Sequence, residues 1–328
     1  MGETQLASAA EGLQKRDVAM SLAMPFYPIE RPWTAERLLL PSQVDCEAYV
    51  AALSREALAG AEDFADCRVP AVYVGGGIAG HAADAALGEL LRDVRKSYDL
   101  ACADGSPAEI TMRVYPGMVS AATTDACRIG HVTRLEFDYA TSSASEAREL
   151  GRFMGPEVMN VSKTVLGPSC RTDLAFDLFW GLPGQTERSA VESVEAVLGF
   201  RACAVNLRAF ALDPASKLAA ERAAHDADWL AAPLHRLPGE EERAAIAAAM
   251  GERLAREGMR EYLPGMWALP GHESRWAQMH AAKSDVLGFG LGASTRFEGV
   301  CARNTGDLAT YLRFSDDPEK VIVQTHRE

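Results

Sequence analysis

AVYVGGGIAG, residues 71–80, passes from a short apolar run into three glycines and then into a segment of helical period. Branched and aromatic residues in so short a run read as a buried strand, and the apolar spacing that follows reads as one face of a helix. Glycines between the two let bare backbone N–H groups come close to a ligand or to a neighbouring strand. The stretch predicts one β-α unit, and a single such unit cannot bury its own apolar face.

The same succession recurs outward in both directions. Strands are expected at SLAMPF (21–26), EITMRVY (109–115), VTRLEFDYA (132–140), LAFDLFW (174–180) and CAVNLRAFAL (203–212), besides AVYV (71–74). Between them CEAYVAALSREALAG, AADAALGELLRDVRKSYDL, SEARELGRFM and ERSAVESVEAVLG carry apolar residues three and four apart, as helices covering a sheet require. Right-handed crossovers then predict a parallel α/β sheet curled into a partial barrel, with the loops after the strands on one face. Asp213-Pro214 ends the repeat. An Ala-, Glu- and Arg-rich region follows, with Glu/Arg pairs at helical spacing in GEEERAAIAAAMGERLAREG, the glycine-dense GFGLGAS and a closing helix in DLATYLRF. The expected division is a leader over 1–20, the barrel over 21–214 and a smaller, mainly helical C-terminal domain over 215–328.

Bulk properties bound the function. The chain has 328 residues, 48% hydrophobic and 24% charged, with a net charge of −13. That field repels nucleic-acid backbones and anionic lipid surfaces, and no basic run offsets it. The first 20 residues carry charges where a secretory signal needs an apolar core, and no segment is long and apolar enough to span a membrane, so the reading is cytoplasmic. Seven cysteines lie singly at 46, 67, 102, 127, 170, 203 and 301. This spacing fits reduced thiols and argues against a disulfide framework or a structural zinc site.

GLPGQT (181–186) after a strand, with EITMRVYPG and LGRFM before it and PGHESR (270–275) and GFGLGA behind it, resembles the oxygen-independent coproporphyrinogen III oxidase and haem-chaperone branch of the radical S-adenosylmethionine (SAM) family over roughly residues 20–312. The resemblance implies a radical-SAM-type partial (β/α)6 barrel. It also implies a first strand leading into three cysteines that hold a [4Fe–4S] cluster, with SAM on the fourth iron. Here Met24-Pro25-Phe26 matches the lead-in, and the cysteine positions fall on Tyr27, Arg31 and Thr34. A phenol, a guanidinium and a hydroxyl cannot replace a thiolate trio, so the cluster is expected to be absent.

The SAM pocket that the resemblance implies is eroded as well. Gly75, Gly76 and Gly77 keep its glycines, followed by Ile78-Ala79 where the family has Thr-Pro. Arg113 and Ala140 stand where a glutamate and a glutamine are expected, which counts against SAM binding in the family manner. Arg152 and Asp177 match the family's SAM-contacting arginine and aspartate. The haem-chaperone motif after PGxESR is replaced by Trp276, Ala277, Gln278, Met279, His280 and Ala281, leaving His280 as the speculative haem ligand. His272 and Met279 are weighed beside it, and lone surface histidine is the commoner case.

Strand alternation adds that Glu136 and Asp138 share the face of position 140, which the resemblance implies is ligand-facing, so they are expected to look into the barrel, as by the same argument are Arg113, Asp177 and Arg208. Isolated buried charges are costly, so Arg113 beside Glu136 or Asp138 reads as mutual compensation. Glycines 75–77 fit packing and ligand approach equally, Tyr27 is expected to pack on Trp33, and His81 and His131 have no partners in sequence. The function that follows is a coproporphyrinogen III oxidase-like protein without the cluster, a non-catalytic binding or regulatory protein whose ligand is a haem or other tetrapyrrole or is SAM-related. Two alternatives stay open: a cluster-independent enzyme using Glu136, Asp138 or Asp177 as acid or base with arginines on an anionic, porphyrin-like substrate, and a pseudoenzyme partner of an active radical SAM paralogue.

Overall fold

The computed structural model describes residues 15–27, 31–34, 39, 44–77, 84–152 and 172–327. Ile78, Ala79, His81, Cys170 and the end of LGRFM lie outside the described residues.

Six parallel strands run in sequence order: β1 (Arg16–Met24), β2 (Cys67–Gly76), β3 (Glu109–Val114), β4 (Arg134–Ala140), β5 (Asp173–Trp180) and β6 (Ala204–Ala209). The helices Cys46–Ala59, Asp84–Ser97 and Glu187–Gly199 cover the outer face between them as the apolar spacing predicts. A further helix, Ala121–Gly130, follows β3 and escaped the periodicity reading. It is fixed at its start by Ser120 and Thr123, which cap each other's backbone. Phe137 and Phe176 stack on this outer face with ring centroids 4.9 Å apart. The whole of β4 is buried, as a central strand covered on both sides must be.

Two expectations are corrected. β1 starts at Arg16, not at 21, so part of the expected leader is strand, and Val18, Ala19 and Met20 are fully buried. The region after residue 215 carries strands as well as helices. β9 (Val286–Phe289) pairs in parallel with β1 and leads into β10 (Ser294–Phe297), β11 (Val300–Asn304) and β12 (Ile322–Arg327). At the opposite edge β8 (Met266–Ala268) pairs antiparallel with β6, and β7 (Arg260–Leu263) follows it. These strands extend one sheet of 12 strands at both edges of the six-stranded array.

The Glu240–Arg256 helix carries the expected Glu/Arg pairs, Glu252 with Arg256 and Arg253 with Glu257. The short helix Arg275–Ala281 packs against β1, β2 and β3 on the inner side. Glu109 holds its start by accepting from Ser274 Oγ at 3.0 Å, Arg275 N at 3.0 Å and Trp276 N at 3.2 Å. Among the described residues no helix is long and apolar enough to cross a membrane.

Candidate functional site

The parallel ladder sets Arg113 of β3 opposite Glu136 of β4, Asp138 opposite Asp177 of β5, and Asp177 opposite Asn206 of β6. Alternation turns these residues inward, and their side chains meet. Arg113 Nη1 donates to Glu136 Oε1 at 3.0 Å, while its Nη2 lies 2.7 Å from Asp177 Oδ2 and 3.7 Å from Asp138 Oδ2. Arg208 Nε approaches the same Asp177 oxygen at 3.0 Å, and both contacts on it are close ion pairs off the hydrogen-bond angle. Asn206 donates to the other Asp177 oxygen at 2.8 Å, and Tyr73 donates to Glu136 Oε1 at 2.9 Å. Arg152 donates to the Asp138 carboxylate at 3.0 Å and to its carbonyl at 3.2 Å.

Mutual compensation is therefore what the buried charges achieve, with three carboxylates against Arg113, Arg152 and Arg208. Glu136 and Asp138 respond differently to it. Burial pushes the Glu136 carboxyl up, the neighbouring Asp177 adds to that, and Arg113 and Arg208 only partly offset it. Burial also acts upward on Asp138, but Arg152 and Arg113 outweigh it and bring the carboxyl down to about 2. Arg113 stays charged: burial works against the cation, and Asp177 and Asp138 more than restore it.

A cavity of about 440 Å³ opens above this layer, lined by Tyr27, Arg31, Gly76, Arg113, Asp138, Arg152, Phe179, Arg208 and Ala209. Arg31, Arg113, Arg152 and Arg208 give its wall four guanidinium groups, and Asp138 is the one carboxylate among the described lining residues. Glu136 and Asp177 lie behind the arginines. That Arg31 joins this wall was not legible in the sequence, because it arrives from the segment after β1. Its guanidinium lies over the rings of Tyr27 and Trp33, 4.8 and 5.5 Å from their centroids. Arg152 in turn lies 5.2 Å from the Trp33 centroid. Such cation–π contacts hold guanidinium groups in place without consuming their N–H donors.

Residues that the resemblance assigns to a cofactor pocket have local structural roles of their own. A Cβ on Gly77 would stand 2.4 Å from the carbonyl oxygens of both Met24 and Phe26, so close approach of β1 to the turn after β2 alone demands glycine there. Gly76 has φ +94°, a conformation that side-chain-bearing residues rarely adopt, and its carbonyl accepts from Tyr27 OH at 2.6 Å. Where the resemblance places the cluster cysteines, the chain has the Tyr27 phenol, the Arg31 guanidinium and the Thr34 hydroxyl, a set that does not fit iron and sulfide. Arg152 and Asp177 are engaged by the charged layer.

Other expected residues go elsewhere. Ala140 leaves the inner face: the ladder shifts register between Asp138 and Ala140, Ala140 takes φ 71°, and it packs with Trp33, Leu150 and Leu182. His280 is exposed and lines a separate recess with Trp276, Arg296 and His326, away from the charged layer. Trp276 links the two regions by stacking on Tyr73 at 5.1 Å. His272 is paired with Asp173, 2.9 Å away. His131 ends the Ala121–Gly130 helix in the left-handed conformation.

No protein-family model matches the sequence. Curated relatives do: a heme chaperone HemW of Lactococcus lactis is 23% identical over 84% of this chain and 68% of its own length, and that of Escherichia coli is 26% identical over 69% and 55%. The chain thus spans little more than half to two thirds of these relatives. Among solved structures, coproporphyrinogen III oxidase (HemN) from Escherichia coli, a radical SAM enzyme, superimposes over all of this chain and 76% of its own with a TM-score of 0.77 at 21% identity. That likeness establishes the partial-barrel fold.

Proposed function

We propose that this chain, a member of the coproporphyrinogen III oxidase and heme chaperone branch of the radical SAM fold, has given up cluster and SAM chemistry and binds a carboxylate-bearing tetrapyrrole through its barrel cavity. The observation that carries the reading is the convergence of Arg31, Arg113, Arg152 and Arg208 on one cavity wall, with Asp138 the one carboxylate among its described lining residues. Planar guanidinium forks match carboxylates, and in a partly desolvated recess such contacts are strong. The relatives bear the name heme chaperone, and haem and its precursors carry propionate side chains of the kind this wall would take.

The cluster-independent enzyme draws less support from the same geometry. The carboxyl whose proton affinity is raised, Glu136, lies behind Arg113, and the accessible Asp138 is held ionised. Neither arrangement gives a proton donor at the cavity wall near neutral pH. A role beside an active paralogue is compatible with tetrapyrrole binding and adds nothing to this site.

The test is a titration of the chain with coproporphyrin III, with haem and with the uncharged tetramethyl ester of the porphyrin, read by fluorescence and Soret absorption. The free acids are expected to bind and the ester to bind at least tenfold more weakly, with Arg31→Ala costing the acids about tenfold, the scale of one charge-assisted contact. Equal binding of acid and ester, or an Arg31→Ala variant as tight as the native chain, would overturn the assignment.

A further inference from the structure

A second group of side chains lies at the opposite ends of the same strands. Asp173 opens β5, Cys203 immediately precedes β6, and His272 sits in the turn after β8. The backbone brings them together: Cys203 N donates to Leu174 O at 2.9 Å, Leu269 N to Cys203 O at 2.9 Å, and His272 N to Leu269 O at 3.0 Å. One thiol sulfur, one imidazole nitrogen and one carboxylate oxygen then lie within 4.8 Å of one another.

We infer that Asp173, Cys203 and His272 form a binding site for one borderline-soft divalent cation, of which Zn²⁺ is the type, at the end of the barrel remote from the arginine-lined cavity. Asp173 and Asp177 are separated by four strand residues, about 13 Å, so the two sites do not share a ligand.

Mutual closeness of all three atoms is what separates a metal site from a nucleophile relay. In a Cys–His–Asp relay the imidazole stands between its partners, which puts sulfur and carboxylate about 6–7 Å apart, two hydrogen bonds plus the ring. Here all three fall inside 4.8 Å, and His272 Nδ1 is already 2.9 Å from Asp173 Oδ2. Zinc bonds of about 2.0–2.3 Å to N, O and S ask for a contraction of roughly an ångström along the longer edges. His272 supplies it, since it is on a turn with its side chain 41% exposed, whereas Asp173 and Cys203 are fixed by the sheet.

Local charge favours a cation as well. Arg134 is the guanidinium that Glu109 and Asp173 share, at 3.6 and 3.7 Å, and it donates its hydrogen bond to the His272 carbonyl at 2.6 Å. Two carboxylates face one arginine. On binding, the Cys203 thiol gives its proton to solvent and the imidazole binds neutral, so the three protein ligands leave a fourth position for water.

The experiment is a Co²⁺ titration of the reduced, tag-free chain, with Zn²⁺ as competitor. Expected are one Co²⁺ per chain, a thiolate-to-cobalt charge-transfer absorption and its displacement by Zn²⁺. Cys203→Ser should remove that absorption and weaken binding at least tenfold. His272→Gln should weaken binding at least tenfold while keeping the absorption, and Cys301→Ser, at a partly exposed thiol, should change neither. Absence of the absorption at excess Co²⁺, its survival in Cys203→Ser, or native affinity in His272→Gln would each overturn the inference. Because His272 is on an exposed turn, His272→Gln decides the matter even if Cys203→Ser fails to fold.

Discussion

The lower and upper halves of β3, β4 and β5 bury charge in contrasting ways. Below, Glu109, Arg134 and Asp173 open the three strands, and the Arg275–Ala281 helix closes over them with its first amides on Glu109. Above, Arg113, Asp138 and Asp177 occupy the same strands about 13 Å further on, and there the layer opens into a cavity with four arginines among its described lining residues. The lower layer commits Glu109 to a helix start, and the upper one turns its arginines toward a cavity. Buried charge serves as internal scaffolding in one and, in the function proposed above, as a surface for an anion in the other.

The widest expected separation between the layers comes from Asp177→Ala. It leaves Arg113 and Arg208 without the oxygen they share, and stability to denaturant should fall by about 3–5 kcal/mol, the cost of breaking a buried ion pair by removing one partner. A loss below about 1 kcal/mol would mean that the upper layer is not held by mutual compensation. Glu109→Ala comes next. It strips the helix start of its acceptor and should cost about 3 kcal/mol while leaving tetrapyrrole affinity at the upper cavity unchanged. Equal damage to binding would join the two layers into one functional unit.

The smallest effect is acid sensitivity. Asp138 has an ordinary value of 3.8 and lies at about 2 in the folded chain. The folded state therefore holds this proton less tightly than the unfolded one, so the stabilisation is complete above the ordinary value and disappears as pH falls through about 2. It amounts to roughly 2 kcal/mol. Glu136 acts oppositely and in another window, since its raised affinity contributes stability below its ordinary 4.5 that fades as pH rises through the folded value. Unfolding followed between about pH 4 and pH 2 should show a slope that Asp138→Asn flattens; an unchanged slope would place the acid sensitivity elsewhere.

Much of the barrel was legible because its strands are apolar and separated by periodic helices. β1 was read as starting late because Lys15, Arg16 and Asp17 look like leader residues. They are a strand end whose charges pair across the rim, Asp17 with Arg68 and Arg16 with Glu298. The strands after residue 215 escaped because they are three to six residues long, and β12 is exposed along its length. At the site, Arg113, Glu136, Asp138 and Asp177 could be placed from strand alternation once the resemblance had marked the inward face. Tyr73 and Asn206 had the same signal, inward positions on β2 and β6, but neither carries a charge to draw notice. Asp173, Cys203 and His272 could not be grouped from spacing, since three separate chain segments supply one ligand each and only the ladder unites them.

The central proposal is that this chain does not assemble the [4Fe–4S] cluster that its resemblance implies. Anaerobic reconstitution of the chain with iron and sulfide, followed by iron quantification and electron paramagnetic resonance after dithionite reduction, addresses it most directly. The account predicts no stoichiometric iron–sulfur centre and no 5′-deoxyadenosine when SAM is added. About four irons per chain in a reducible cluster that cleaves SAM would contradict it.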